Sequence, residues 1–456
     1  MIYVVGNYRL GAFGWLAGSY VEENALPNAG LYDQRLFLQW IQDYIGQVGG
    51  NASDVSVWGE SAGASSILHH LILDGGKIDP LFRKAAIMSP AFEWQWDRAG
   101  TLNVTYNNFT ELVGCEDHGV GCLREFAMDD PALINANNVL LNSQNFTGVY
   151  AIGPAVDGKI IKDLAPLELA RGMPLHIRFF LPLWLNWPFS PGSFFSNLTS
   201  ILITHVDDEA TGFVPSWIKT EDNITQYIQN FLPQPSNAAL RQKILNQYPC
   251  DNSQPRDCLA AIIRDLSFTC NTRYLFNTYS PTYMGNYAVD EIIYIKKAAH
   301  GTDLAPLYWS PEANFSQFLV DTAESAGSSI PDSIIKGMSA FFGGYDTYFA
   351  PRYQSRFVSH AVFGDPNQGW DQDVPWPTAV VNADDNGTLG HVLQAESNIK
   401  NASMFVLIDD LQNTEKACNF WLDIASNVTS GSGSTKSMAF DTSEVDADHA
   451  GVNAEL

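Results

Sequence analysis

The stretch Val57-Trp58-Gly59-Glu60-Ser61-Ala62-Gly63-Ala64, VWGESAGA, sets one serine between two glycines where two sequence patterns meet. Before it, Val55-Ser56-Val57-Trp58 is a short β-branched and aromatic run that predicts a strand. After it, Ser65, Ile67, Leu68 and Leu71 predict a helix. A strand that turns into a helix at G-x-S-x-G puts the serine on a sharp turn. Its flanking glycines permit a strained backbone and a close helix approach that expose Oγ. Ser61 is therefore the candidate nucleophile, against the plainer alternative of an inert serine in a tight turn.

Outward from this turn, strand and helix patterns alternate. Ile2-Tyr3-Val4-Val5 reads as a short buried strand, and Gly11, Gly14 and Gly18 punctuate a loop region. Asn28 to Gly46 reads as a helix ended by Gly49-Gly50, with Leu36, Leu38, Trp40, Ile41 and Ile45 at roughly helical spacing. Ala85–Met88 and Ile201–Thr204 predict further strands, and the region from about 100 to 285 is mixed and mostly helical. Such alternation predicts an α/β fold with a mainly parallel sheet. From Asn427 the chain is rich in Ser, Gly and Asp, which predicts one domain over 1–425 and a disordered tail over 426–456. The apolar run Phe179 to Phe195 contains Pro182, Pro188 and Pro191, which deny it a helix or central strand. It reads as a buried loop or as translated intron.

In the 456 residues, 50 acidic against 25 basic side chains give a net charge of -25, which excludes a phosphate-backbone partner such as nucleic acid. No apolar run reaches the roughly 18 residues of a membrane span. The six cysteines, Cys115, Cys122, Cys250, Cys258, Cys270 and Cys418, form no CxxC pair, so disulfides are expected rather than zinc. Glycosylation sequons begin at Asn51, Asn103, Asn108, Asn145, Asn197, Asn223, Asn314, Asn386, Asn401 and Asn427, and with the cysteines they predict a secreted glycoprotein. Residues 1–30 carry no leader pattern and open directly on MIYVVGNYRL, so a chain incomplete at its N-terminus is expected. No HExxH is present, adjacent His69 and His70 cannot share a helical face, and no metal or cofactor is expected.

A serine hydroxyl needs a base, and the base needs a third group to hold it. At a strand-helix elbow of this kind the order along the chain is serine, acid, histidine. His205-Val-Asp-Asp-Glu-Ala-Thr-Gly-Phe213 follows the Ile201–Thr204 strand, at the carboxyl edge where open α/β sheets build sites. Glu209 is the favoured acid, with Asp207 and Asp208 as neighbours that the pattern does not separate. Beyond it, His300, His360 and His391 stand in the required order, and the setting Ala298-Ala-His-Gly-Thr-Asp-Leu304 favours His300.

These motifs together resemble the type-B carboxylesterases, the branch of the α/β-hydrolase fold that contains cholinesterases and fungal lipases. NYRLGAFGWL (Asn7 to Leu16), NAGLYDQRLFLQW (Asn28 to Trp40) and WGESAGA (Trp58 to Ala64) resemble the family signature in order and spacing. DDEATGF and AAHGTDL resemble its acid and histidine loops, and FGDPN (Phe363 to Asn367) with Trp376-Pro377 its C-terminal motif. The resemblance implies an ester substrate, small or lipid, and hydrolysis through an acyl-enzyme, with Ser61 attacking, His300 shuttling the proton and Glu209 orienting the imidazole. It implies a disulfide between Cys115 and Cys122; Cys250 with Cys258 and Cys270 with Cys418 are open possibilities. Of the family's three oxyanion N-H groups only that of Ala62 is assignable, since no glycine-rich run precedes Asn7. Each missing donor costs roughly 100- to 1000-fold in rate, so this polypeptide is expected to be nearly inactive. The competing expectation is a non-catalytic, cholinesterase-like adhesion domain.

Overall fold

The structure, a computed structural model, describes residues 1–116, 118–171, 193–279, 281–289, 298–308, 349–368, 374–396 and 404–431. Among them, seven strands form one sheet: β1 (Ser56–Glu60), β2 (Lys84–Met88), β3 (Ser200–Val206), β4 (Tyr283–Ala288), β5 (Val380–Val381), β6 (Thr388–Glu396) and β7 (Phe405–Thr414). The spatial order is β1-β2-β3-β4-β6-β5, and β7 also pairs with β6. The first four strands and β6 run parallel, while β5 and β7 are antiparallel to β6. The expected α/β architecture with a mainly parallel sheet is what forms. Glu60 stands opposite Met88, Met88 opposite Thr204 and Thr204 opposite Gly285, so the carboxyl ends of β1 to β4 align along one edge. That edge is where the chain's chemistry collects.

Both faces of the sheet are covered, which is why its central strands are near-continuous apolar runs rather than alternating ones. Ala85, Ile87, Ile201 and Ile203 face a large core with the helix α2 (Ala62–Ile72), whose Leu68, Leu71 and Ile72 are wholly buried. Ala86, Met88, Leu202 and Tyr287 face a second cluster around Phe357. On α1 (Ala29–Tyr44) the inward face is Leu31, Leu38 and Ile41, and Leu36 and Trp40 are exposed. A 3-10 turn over Ile45–Val48 follows, and Gly49 ends it with a φ of 82°, a left-handed cap that glycine adopts without strain.

Helices α3 (Cys270–Tyr279) and α4 (Glu415–Gly431) are joined by Cys270–Cys418, and the other disulfides are Cys115–Cys122 and Cys250–Cys258. Cys115–Cys122 is the pairing that the resemblance implies, and the other two are the pairings it leaves open. Trp94 packs edge-on against buried Trp421 and is core.

Three local expectations are corrected. Ile2–Val5 is not a strand: Met1–Leu10 carries no regular structure, and Val5 is 77% exposed. The run has no strand to pair with, because among the described residues β1 is an edge that pairs only with β2. Residues Met1–Gly6 instead line an open groove of ≈ 560 Å³ with Phe37, Ile41 and Val57. The glycine-punctuated region folds as two short helices, Gly11–Trp15 and Ser19–Asn24. Helix α4 runs to Gly431, into the stretch read as tail; residues 432–456, His176, and 179–192 of the proline-interrupted segment lie outside the described residues.

Candidate active site

Ser61 sits between β1 and α2 with φ 55° and ψ -119°, a conformation that non-glycine residues rarely adopt and that must be held by its surroundings. The turn is pinned by hydrogen bonds from the Ser61 N-H to Met88 O, from the Ala91 N-H to Ser61 O, and from the Ser65 N-H to Ser61 O. Gly59 makes the turn possible: a Cβ there would lie 2.5 Å from the Gly63 carbonyl carbon. Gly63 has no such role, since a Cβ on it would meet nothing within 4 Å. Ala62 is the first residue of α2, so its N-H has no intrahelical acceptor and lies one residue from the serine.

The acid loop follows β3 directly. Glu209 is buried at 1% exposure; its Oε1 accepts the Val206 N-H at 2.9 Å, and its Oε2 lies 2.6 Å from His300 Nδ1. Its two acidic neighbours do other things. Asp207 accepts a hydrogen bond from Gln412, and Asp208 caps the Thr211 N-H. The Asp208 N-H also donates to Ala298 O at 2.9 Å, which ties the acid loop to the chain just before His300. Of the other histidines in the required order, His360 is buried against Ser200 with Nε2 2.9 Å from Oγ, and His391 is exposed on β6.

The His300 ring is set by two aromatic edges, Phe213 at 5.2 Å and Phe268 at 4.9 Å between centroids. Phe268 lies on a π-helical stretch, Arg264–Thr269, that interrupts an otherwise α-helical run from Pro255 into α3. That irregularity has no signature in the sequence. His300 Nε2 lies 3.2 Å from Glu60 Oε1, yet among the described residues neither atom makes a hydrogen bond, and none joins His300 to Ser61.

Three carboxylates therefore surround one imidazole: Glu209, Glu60 and Asp303. Asp303 is fully buried, and among the described residues neither of its oxygens has a hydrogen-bond partner. Burial, reinforced by the nearby charges of Glu60 and Glu209, pushes its carboxyl up to about 7. Glu60 rises to about 7, again chiefly through burial, with His300 opposing and Glu209 adding. Burial alone would lower His300, but the hydrogen bond and charge of Glu209, helped by Glu60 and Asp303, raise it above the usual histidine value. Glu60 and Asp303 were not among the sequence candidates, although both flank motif residues. Among the described residues no cluster of ligating side chains could hold a metal.

The model of the carboxylesterase family matches residues 1–420. A secreted lipase of Arthroderma benhamiae is 31% identical over 445 residues, 95% of this chain and 72% of the relative. Carboxylesterase patB of Penicillium expansum is 30% identical over 71% of this chain and 54% of its own. This chain thus spans between about half and three quarters of the length of these relatives. The crystal structure of Aspergillus niger EstA matches with a TM-score of 0.68 at 19% identity, covering 93% of this chain and 74% of that one. A PNB esterase matches with a TM-score of 0.61 at 21% identity over 91% of this chain and 73% of that one. Both structural likenesses concern the fold, which is that of α/β-hydrolase esterases. Taken with the elbow serine and the carboxylate-held histidine, the match over nearly the whole chain means that this protein belongs to the carboxylesterase family of ester hydrolases.

Proposed function

We propose that the protein hydrolyses carboxylic esters through a Ser61-His300-Glu209 triad and an acyl-enzyme intermediate. The observation that carries this reading is the 2.6 Å contact between His300 Nδ1 and Glu209 Oε2, formed at the same sheet edge as the strained Ser61. Oγ of Ser61 attacks the ester carbonyl while His300 Nε2 takes its proton, and the imidazolium then returns that proton to the departing alkoxide. Water repeats the sequence on the acyl-enzyme, with His300 as base and then acid. Glu209 holds the Nδ1-H tautomer and balances the imidazolium charge. The Ala62 N-H donates to the oxyanion, which forms beside the N-terminus of α2. Nε2 must turn from Glu60 toward Oγ as the substrate enters, a tightening that unliganded active sites commonly need.

The protein is further proposed to be secreted. Its three disulfides, the exposed sequon residues Asn51, Asn108, Asn145, Asn197 and Asn386, and the names of its relatives support an oxidising, extracellular setting. No described helix is long and apolar enough to cross a membrane. The substrate is a neutral ester, small or lipid, because the net charge of -25 repels polyanions.

The test is hydrolysis of p-nitrophenyl butyrate together with labelling by a fluorophosphonate, compared with Ser61→Ala. Turnover and labelling that both vanish in the variant are expected. Slow turnover with labelling at Ser61 fits a single assigned oxyanion donor, whereas a folded wild-type protein whose Ser61 never labels would overturn the reading in favour of a binding domain.

A further inference from the structure

His205 has no task in the triad, yet it is built into its foundation. It lies on β3, wholly buried, four residues before Glu209. Its Nε2 is 2.7 Å from Oδ2 of Asp410 on β7, and its Nδ1 is 3.1 Å from the carbonyl oxygen of Val206. Both partners are acceptors only. A neutral imidazole carries one N-H, so satisfying both contacts requires the imidazolium. Burial disfavours that charge, but the charge and hydrogen bond of Asp410, with the charge of Glu209 adding, lift the ring to about 9. Asp410 is equally buried, and His205 together with backbone N-H groups nonetheless holds its carboxyl below the ordinary range.

The pair grips the acid loop at several points. Val206 gives its carbonyl to His205 and its N-H to Glu209 Oε1, so one residue is held from both ends. The Gln412 N-H donates to Asp410 Oδ1 at 3.1 Å, and its side-chain amide reaches the Asp207 carbonyl at 2.9 Å. From β4, the Asn286 amide nitrogen packs 3.4 Å from both ring nitrogens, a contact that is no hydrogen bond to an imidazolium, and Asn286 Oδ1 accepts from Gln394 of β6. A buried ion pair is weak evidence for stability, because desolvation of two charges offsets their attraction. A positive charge fixed behind a buried carboxylate has a more specific use.

We propose that His205, held charged by Asp410, is a positioning residue for Glu209. It clamps Val206 and supplies the counter-charge behind the carboxylate, so that Glu209 Oε2 stays aimed at His300 Nδ1. The inference rests on Glu209 being the acid of the triad. The charged groups bearing on His205 are Asp410 from β7 and Glu209 from its own loop, and Arg273 of α3 bears on Asp410.

The proposal has two tests, the first of which does not depend on turnover. The first is nitrogen NMR of labelled histidine in the wild-type protein between pH 6 and 8. His205 is expected to show two protonated ring nitrogens throughout, and a neutral ring at pH 7 overturns the proposal. The second is His205→Gln combined with Asp410→Asn, which keeps polar packing and removes both charges. Without the clamp Glu209 is no longer held against Nδ1, and the hydrogen bond and charge that raise His300 weaken, so the imidazole loses its proton at lower pH. His300 is expected to titrate at least about half a unit lower, with kcat on p-nitrophenyl butyrate reduced about tenfold or more and KM little changed. A folded variant with an unmoved His300 titration and wild-type kcat overturns the proposal; a wild type whose Ser61 never labels overturns the esterase reading instead. If the double variant does not fold, the wild-type protonation state decides.

Discussion

Glu60 Oε1 lies 3.2 Å from His300 Nε2, across the ring from the nitrogen that Glu209 holds. Glu60, which precedes Ser61, thus competes with it for the imidazole proposed as the base. Glu60 adds to the negative field that raises His300. Glu60→Gln is therefore expected to lower the pH at which His300 loses its proton, by up to about one unit, and to shift the acidic limb of kcat downward. Because Glu60 itself titrates at about 7, the wild-type limb is a property of the coupled groups and should be broader than a single ionisation. A pH-rate profile of both proteins checks this, and an upward shift would refute it.

Asp303 gives a stability prediction with the opposite sense to an ion-paired acid such as Asp410. Its carboxyl is raised from 3.8 to about 7, so between those values the folded state binds more protons than the unfolded state. Stability from this group is fully present below the lower value and is lost as pH rises through the upper one. Asp303→Asn should thus be more stable than wild type at pH 8, on the order of 1 to 2 kcal/mol, and should lose the advantage toward pH 4. Thermal melts at both pH values decide it; a variant less stable at pH 8 than at pH 4, relative to wild type, would count against the assignment.

The two glycines of the elbow separate by sterics. Gly59→Ala puts a methyl group 2.5 Å from backbone atoms of Gly63, which cannot swing away as a side chain would. The cost is overpacking of roughly 1 to 3 kcal/mol, paid by displacing α2 and with it Ser61. Gly63→Ala meets no atom within 4 Å and places a better helix former in α2. A lower Tm and slower fluorophosphonate labelling are expected only for the first. Equal losses in both would mean that the motif's glycines are needed for something other than this contact.

What the sequence made legible is what is local. The elbow, β2, β3 and α2 follow from short-range periodicity, and Ser61 follows from its turn. Sequence alone did not separate Glu209 from Asp207 and Asp208, because three adjacent carboxylates differ only in where the loop aims them: Glu209 inward to His300, Asp208 to the Thr211 N-H, Asp207 to Gln412. The contact of His205 with Asp410 spans 205 residues and has no local pattern, so a histidine that stands before the acid in the chain is tied to the acid's loop only through the fold. Ile2–Val5 erred in the other direction. Its composition favours a strand, but a strand needs a neighbour to pair with, and β1 offers none of its hydrogen bonds to that run.

The disulfides predict a rank order of stability that joins the fold to the site. Cys270–Cys418 closes a separation of 148 residues, whereas Cys250–Cys258 closes 8. On the chain-entropy account the longer loop restrains the unfolded chain by about 2 to 3 kcal/mol more than the shorter. Its cysteines are also buried at 1% and 2%, and the Tyr274 hydroxyl donates to the Cys418 carbonyl at 2.7 Å beside them, so truncation there leaves a cavity as well. Since α3 continues the π-helical stretch that carries Phe268, loosening α3 from α4 should also loosen the ring that sets His300. Cys270→Ala with Cys418→Ala is expected to lower Tm well below that of Cys250→Ala with Cys258→Ala, and to reduce kcat where the latter does not. Melts and p-nitrophenyl butyrate kinetics on the two double variants measure both effects. Equal Tm losses would refute the loop-length argument, and an unchanged kcat in the first variant would show that Phe268 holds its place without α4.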